Sequence, residues 1–189
     1  MKLVTDSWRG YDLLGGHLAL DFVNTVSWRL DPARTFDRLD APDFLTLWLA
    51  RTDLVPGDPP SGAAEVIDPL KQLRETVYRL LVATDPADVT SFRERLAAAR
   101  GLAVAEATLP LQWTVPIKRM GDVIPALTLA ADNLLRSPDA ALVRQCSGPG
   151  CGWLFLDRTR NHSRQWCSSQ DCGNRERARR HYRRTREQH

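Results

Sequence analysis

The first 145 residues contain no cysteine; all four cysteines of the chain fall between positions 146 and 172, so the whole supply serves one local cluster. Long apolar runs are missing too. Nothing approaches the roughly 18 uninterrupted apolar residues that a membrane span needs. The opening stretch MKLVTDSWRGYD has neither the basic start nor the apolar run of a signal peptide. The expectation is a cytoplasmic protein with no membrane partner, in a reducing compartment where clustered cysteines hold metal more often than they form disulfides. There is no glycine-rich phosphate loop, no nucleophile–base arrangement and no recognisable pair of catalytic carboxylates, so no enzymatic activity is expected. Internal repeats are absent as well.

What is present is an ordinary globular composition, 43% hydrophobic and 26% charged over 189 residues. That is enough for one sizeable core plus a small appended module. The formal charge of +3 hides a division. From Arg144 onward there are eleven arginines and four acidic residues, whereas the preceding part carries fifteen basic and nineteen acidic ones. A mildly acidic body joined to a strongly basic end implies that the end is what meets a polyanion.

The expected fold is mainly α: a helical N-terminal domain over residues 1–137 with a small β-hairpin element, then a C-terminal zinc-finger module over residues 138–189, built from a hairpin and a terminal helix. Leu18, Phe22 and Val26 recur every four residues and predict one buried helical stripe. Asp40 and Pro42 mark a helix start before FLTLWLA, and VPGDPPSG (55–62) reads as a loop. Leu70, Leu73, Val77, Leu80 and Leu81 predict a strong helix with Pro69 in its first turn or at a kink. Asp85-Pro86 caps the next helix and Gly101 ends it. Residues 102–116 suggest a small hairpin, and 122–136 a further helix with Leu127, Ala131, Leu134 and Leu135 inward. Ser137-Pro138-Asp139 marks the expected boundary.

The cysteines read Cys146-x4-Cys151-x15-Cys167-x4-Cys172. Four thiolates satisfy a tetrahedral structural zinc and leave no vacancy for a substrate. Ser147-Gly148-Pro149-Gly150 are turn formers suited to presenting two sulfurs to one ion. Gly152–Leu156 reads as a strand that pairs with 142–144. Two disulfides, or unrelated buried cysteines, are the alternatives. His162 and His181 lie nearby as substitute ligands or as surface and packing residues. One structural zinc per chain is expected, and without it the module, poor in apolar residues, is expected to lose its structure.

From Asn174 to Glu187 there is no Pro or Gly, and seven arginines follow: Arg175, Arg177, Arg179, Arg180, Arg183, Arg184 and Arg186. At 100° per residue, Ala178, His181, Tyr182 and Thr185 share a thin packing stripe. Arg175, Arg179, Arg183 and Arg186 form a second face, with Arg177, Arg180 and Arg184 forming a third. Nucleic-acid phosphate neutralises such a helix, and arginine also reads guanine edges. Trp166 and Tyr182 are the only aromatics at hand for stacking on unpaired bases, which favours duplex DNA over RNA. A solvated basic tail, or a zinc-stapled module for protein–protein or non-specific nucleic-acid binding, is the competing reading.

The stretch from Cys146 through CGWLFLDRTRN and RQWC to Cys172-Gly173-Asn174-Arg175, followed by ARRHY, resembles the CGNR zinc finger. Arg177 stands where that family often has Lys. The segment GGHLALDFVNTVSWR (15–29), with the later FLTLWLAR, is similar to the ABATE domain. The resemblance implies a bacterial stress-induced transcription regulator with a helical N-terminal domain and a zinc-dependent DNA-binding end, and by position it makes the four cysteines the ligands. Within the N-terminal segment, His17, Asp21, Asn24 and Arg29 cluster, the first three on one polar helix face. They read either as part of a pocket for a small-molecule effector or as a capped, hydrogen-bonded packing surface. A homodimer would suit a palindromic site, but no interface is legible.

Overall fold

A computed structural model describes residues 12–187 apart from positions 53 and 56. Residues 1–11 of the opening stretch, and position 56 of the expected loop, lie outside the described residues. Six α-helices and three two-stranded antiparallel sheets make up the described chain.

Helix α1 (Leu18–Val23) starts on His17, whose Nδ1 accepts the Ala19 N–H at 3.1 Å. It ends short of the stripe through Val26, because the side chains beyond Val23 bond to backbone instead of continuing the helix. The Thr25 hydroxyl donates to the Phe22 carbonyl at 2.8 Å, and the Asn24 amide turns toward a distant strand. Val26 is still buried, from strand β1 (Val26–Ser27), which pairs with β2 (Phe36–Asp37).

A 3-10 turn (Arg38–Asp40) leads into α2 (Phe44–Arg51), whose Phe44, Leu45, Trp48 and Leu49 are buried. Helix α3 (Ile67–Val82) takes Pro69 within its first turn and buries Leu70, Leu73, Val77 and Leu80. Helix α4 (Pro86–Leu102) begins on Asp85, whose carboxylate accepts the Ala87 N–H at 2.7 Å, and runs through Gly101 by one residue. Strands β3 (Val104–Ala105) and β4 (Trp113–Thr114) form the expected hairpin. Helix α5 (Val123–Arg136) buries Leu127, Ala131 and Leu134, with Leu135 partly covered. The C-terminal part consists of β5 (Val143–Gln145), β6 (Leu154–Leu156), a π-turn (Ser169–Gly173) and α6 (Asn174–Glu187).

One hydrophobic cluster holds the fold together, and it does not stop at Ser137. Leu20, Phe22, Trp48, Leu73 and Leu127 belong to it, and so do Leu154, Phe155, Leu156 and all four cysteines. Strand β6 is buried at every position. Fully burying a Leu or Phe side chain contributes about 1.5–3 kcal/mol, so three such residues tie the finger strand to the helical body. Polar groups are paired inside this core. Arg74 is 3% exposed and grips Asp37 with two bonds of 2.7 Å. Burial alone would raise the Asp37 carboxyl, but the Arg74 guanidinium holds it below the ordinary range.

Candidate metal centre and basic helix

The sulfurs are delivered by four pieces of local structure. Cys146 follows β5, and Cys151 closes a tight turn in which its N–H donates to the Gly148 carbonyl at 2.9 Å. Gly150 and Gly152 both take positive φ, 75° and 72°. A Cβ on Gly150 would lie 2.8 Å from the Asp31 Cβ, and one on Gly152 would lie 2.9 Å from the Arg29 Cβ. Only glycine lets the knuckle press against the loop that follows β1. Cys167 ends the segment after β6, and Cys172 lies in the π-turn that becomes α6.

The four Sγ atoms lie within 4.8 Å of one another. Thiolates about 2.3 Å from a tetrahedral zinc sit about 3.8 Å apart, and Cys151–Cys167 and Cys167–Cys172 measure 3.8 and 3.6 Å. A disulfide needs about 2.05 Å, and all four cysteines are free and buried. Backbone N–H groups of Gly148 and Cys167 point at the Cys146 sulfur from 3.4 and 3.3 Å, and the Arg175 guanidinium donates to the Cys172 sulfur at 2.8 Å. Those donors suit a sulfur that carries negative charge. With no cation the group cannot ionise as a set. Hydrogen bonds from Cys151, Cys167 and Cys172 hold Cys146 far below the usual thiol range, while neighbouring sulfurs push Cys151 and Cys167 far above it. A divalent ion removes that conflict, and the residues fit one structural zinc. His162 instead places Nδ1 3.0 Å from the Asp157 carbonyl, and His181 lies edge-on to Tyr182, both exposed and outside the sulfur cluster.

Two positioning residues had no spacing signal. Asp157 accepts from the Thr159 hydroxyl at 2.6 Å and the Arg164 N–H at 2.9 Å, and the Thr159 bond draws its carboxyl below the usual range. Arg164 lies 4.2 Å over the Phe155 ring and donates to the Trp166 and Cys167 carbonyls at 3.0 and 2.6 Å. Together they shape the return path to Cys167.

The helical body grips this centre directly. The Asn24 amide donates to the Leu154 carbonyl and accepts from the Leu154 N–H, each at 2.8 Å. The Trp153 indole donates to the Val26 carbonyl at 2.8 Å, and the Leu156 N–H to the Gly15 carbonyl at 2.9 Å. The N–H groups of Arg29 and Leu30 donate to the Cys151 and Gly150 carbonyls at 3.1 Å. His17, Asp21, Asn24 and Arg29 are thus close in sequence but employed separately. His17 caps α1 and borders a groove of about 680 Å³ beside α5. Asp21 accepts the Gly15 N–H at 2.8 Å, and Arg29 pairs with Glu75 and stacks 4.1 Å over Tyr78.

Asp21 gives a pH signature. Burial raises its carboxyl from 3.8 to about 6, against the lowering effect of the Gly15 N–H. The folded chain therefore binds this proton more tightly than the unfolded chain, and the side chain's contribution to stability falls as pH rises through that window. Asp21→Asn keeps the acceptor and removes the titration. The stability of the variant relative to the parent is expected to climb by on the order of 3 kcal/mol across this window, read by urea unfolding at matched pH. A flat difference would rule out a buried, proton-binding Asp21.

Helix α6 leaves the metal centre with its side chains in solvent from Arg177 to Arg186. The stripe of Ala178, His181, Tyr182 and Thr185 is exposed rather than packed, because no other described element covers it; Tyr182 is 70% exposed. The arginines divide by what they hold. Arg175 bonds Cys172 and lies 4.6 Å over Trp28, while Arg177 bonds the Ser169 carbonyl at 2.8 Å. Arg179 and Arg183 share Glu176 at 3.7 and 3.4 Å. Among the described residues Arg180, Arg184 and Arg186 make no ion pair. No described helix is long and apolar enough to cross a membrane.

Two family models match the chain. The CGNR zinc finger covers residues 143–185, and ABATE, described as "Putative stress-induced transcription regulator", covers 16–146. These are regulator and zinc-finger families, not enzyme families. No curated protein matches.

Proposed function

Because the chain belongs to the ABATE family and carries a CGNR zinc finger, we propose that it is a zinc-dependent DNA-binding transcription regulator whose basic helix α6 contacts duplex DNA. The observation that carries this reading is the free cationic face of a helix rooted in a metal centre. Arg180 and Arg184 lie one turn apart, exposed and without internal partners among the described residues. Four thiolates and one zinc ion add about −2 at the root of the helix, and Arg175 is turned to that charge through Cys172. Arg175 and Arg177 therefore serve mainly to fix the start of the helix, and the outer arginines meet phosphate and base edges. Residues 138–189 would provide the contact surface, and residues 1–137 would sense an effector or dimerise.

A salt series tests it. Removing one arginine–phosphate pair should make the slope of log K against log salt shallower by about 0.9. The double variant Arg180→Ala/Arg184→Ala, with its zinc retained, is expected to bind duplex DNA with a slope reduced by roughly 1.8. Affinity that depends on duplex sequence supports a regulator. A steep slope with no preference among duplexes, or preference for RNA, supports the generic nucleic-acid module instead, and an unchanged slope removes the helix from the interface.

A further inference from the structure

The stretch from Gly101 to Ile117 holds one ionisable side chain, Glu106, and although Val115 is buried, most of its large apolar residues face solvent. Leu102, Val104, Leu109, Leu111 and Trp113 are 54%, 48%, 92%, 59% and 59% exposed. They sit on and around the β3–β4 hairpin, a sheet of two strands with both outer edges unpaired. Solitary edges in stable monomers are usually protected by charge or proline on the strands, and Val104, Ala105, Trp113 and Thr114 supply neither. Such an isolated two-stranded hairpin is marginal by itself.

Beside the hairpin runs a groove of about 740 Å³. Pro110, Leu111, Trp113 and Leu129 form its apolar walls. Its rim carries both signs of charge: Arg100 and Arg136 each reach Asp132, at 3.1 and 3.0 Å. The face therefore presents a protruding apolar tip at Leu109, an apolar recess and a rim on which Arg100 and Arg136 are exposed over the buried Asp132. A two-fold contact uses the same patch on both copies, so it needs a projection and a recess on one surface, and this face carries both.

We propose that this face is the interface of a homodimer, with the Leu109 tip of each copy seated in the groove of the other. The exposed apolar side chains amount to on the order of 600 Å² per chain, at the upper end of what a monomer leaves bare. Two-fold pairing hides roughly twice that area, which reaches the size of a specific interface. Asp132 is neutralised within its own copy by Arg100 and Arg136, so the rim stays paired when the apolar surfaces meet. The edges of β3 and β4 are covered in the same step. This assignment does not depend on DNA binding.

Sedimentation velocity on nuclease-treated, zinc-loaded full chain at high salt tests it across a dilution series. The parent chain is expected to sediment as a dimer at the upper end of the series. Trp113→Glu is expected to weaken association at least about thirtyfold, as loss of a central aromatic anchor does. Leu109→Glu, at the most exposed position, should do the same with zinc content and circular dichroism unchanged. A parent chain that stays monomeric throughout, leaving the face to another partner or to none, overturns the proposal. So does a dimer that both variants leave intact.

Discussion

Stripping zinc from the purified chain is expected to unfold the helical body along with the finger. The cysteines, β6 and helices α1, α3 and α5 contribute to one buried cluster, not two. Zinc binding to small thiolate modules releases about 10–16 kcal/mol, comparable to the whole stability of a folded domain, about 5–15 kcal/mol. Without the ion, four buried sulfurs at mutual distances below 4.8 Å are left to repel one another or to hold protons that fit poorly. The knuckle then has no reason to keep its place against Arg29 and Leu30, and β6 loses its flank. A chelator, or Cys172→Ser, should remove about one zinc per chain and most helical circular dichroism, not only the share of α6. Even a partial loss of about 5 kcal/mol lowers Tm by roughly 10–20 °C in a chain of this size. Cys172→Ser should also abolish duplex binding with every arginine still present. A zinc-free chain that keeps the parent's melting curve would show that the body stands alone.

The core shared between finger and body was the part of the molecule the sequence concealed. The four-sulfur cluster was legible because cysteine spacing is a local property, and so were the cap at Asp85 and the helix through Leu70 and Leu80. The terminal helix and the two hairpins followed from short-range patterns in the same way. Asn24 and Leu154 lie 130 residues apart, and no periodicity links them. Helical spacing placed Asn24 with His17 and Asp21 on one face, but α1 stops at Val23 because Asn24 has its partner in β6. A helix-period reading assumes that side chains do not compete with the backbone ladder, and here Asn24 and Thr25 do. The sector of Ala178 and Tyr182 failed for the opposite reason. A 100° step can identify a stripe, but it cannot supply a surface for the stripe to pack on.

Asn24→Ala is expected to damage the whole protein more than any surface change. The Asn24 side chain does the work of a neighbouring strand, giving β6 a donor and an acceptor at Leu154. Asn24 is 2% exposed and Leu154 is 1% exposed, so water cannot replace either bond. Leaving a buried donor or acceptor unsatisfied costs about 1–3 kcal/mol each, roughly 2–6 kcal/mol for the pair. At about 2–4 °C per kcal/mol, Tm should fall by roughly 4–24 °C. If metal capture and folding of the body are one equilibrium, the loss must appear in zinc affinity as well, because coupling is reciprocal. Each ~1.4 kcal/mol lost from the clamp should weaken the apparent zinc affinity tenfold, measured by competition with a chromophoric chelator. A variant that melts early but holds zinc as tightly as the parent would mean the finger closes independently of the body. The clamp would then join two units that fold separately, and the ABATE part would orient the arginine helix without helping to form it.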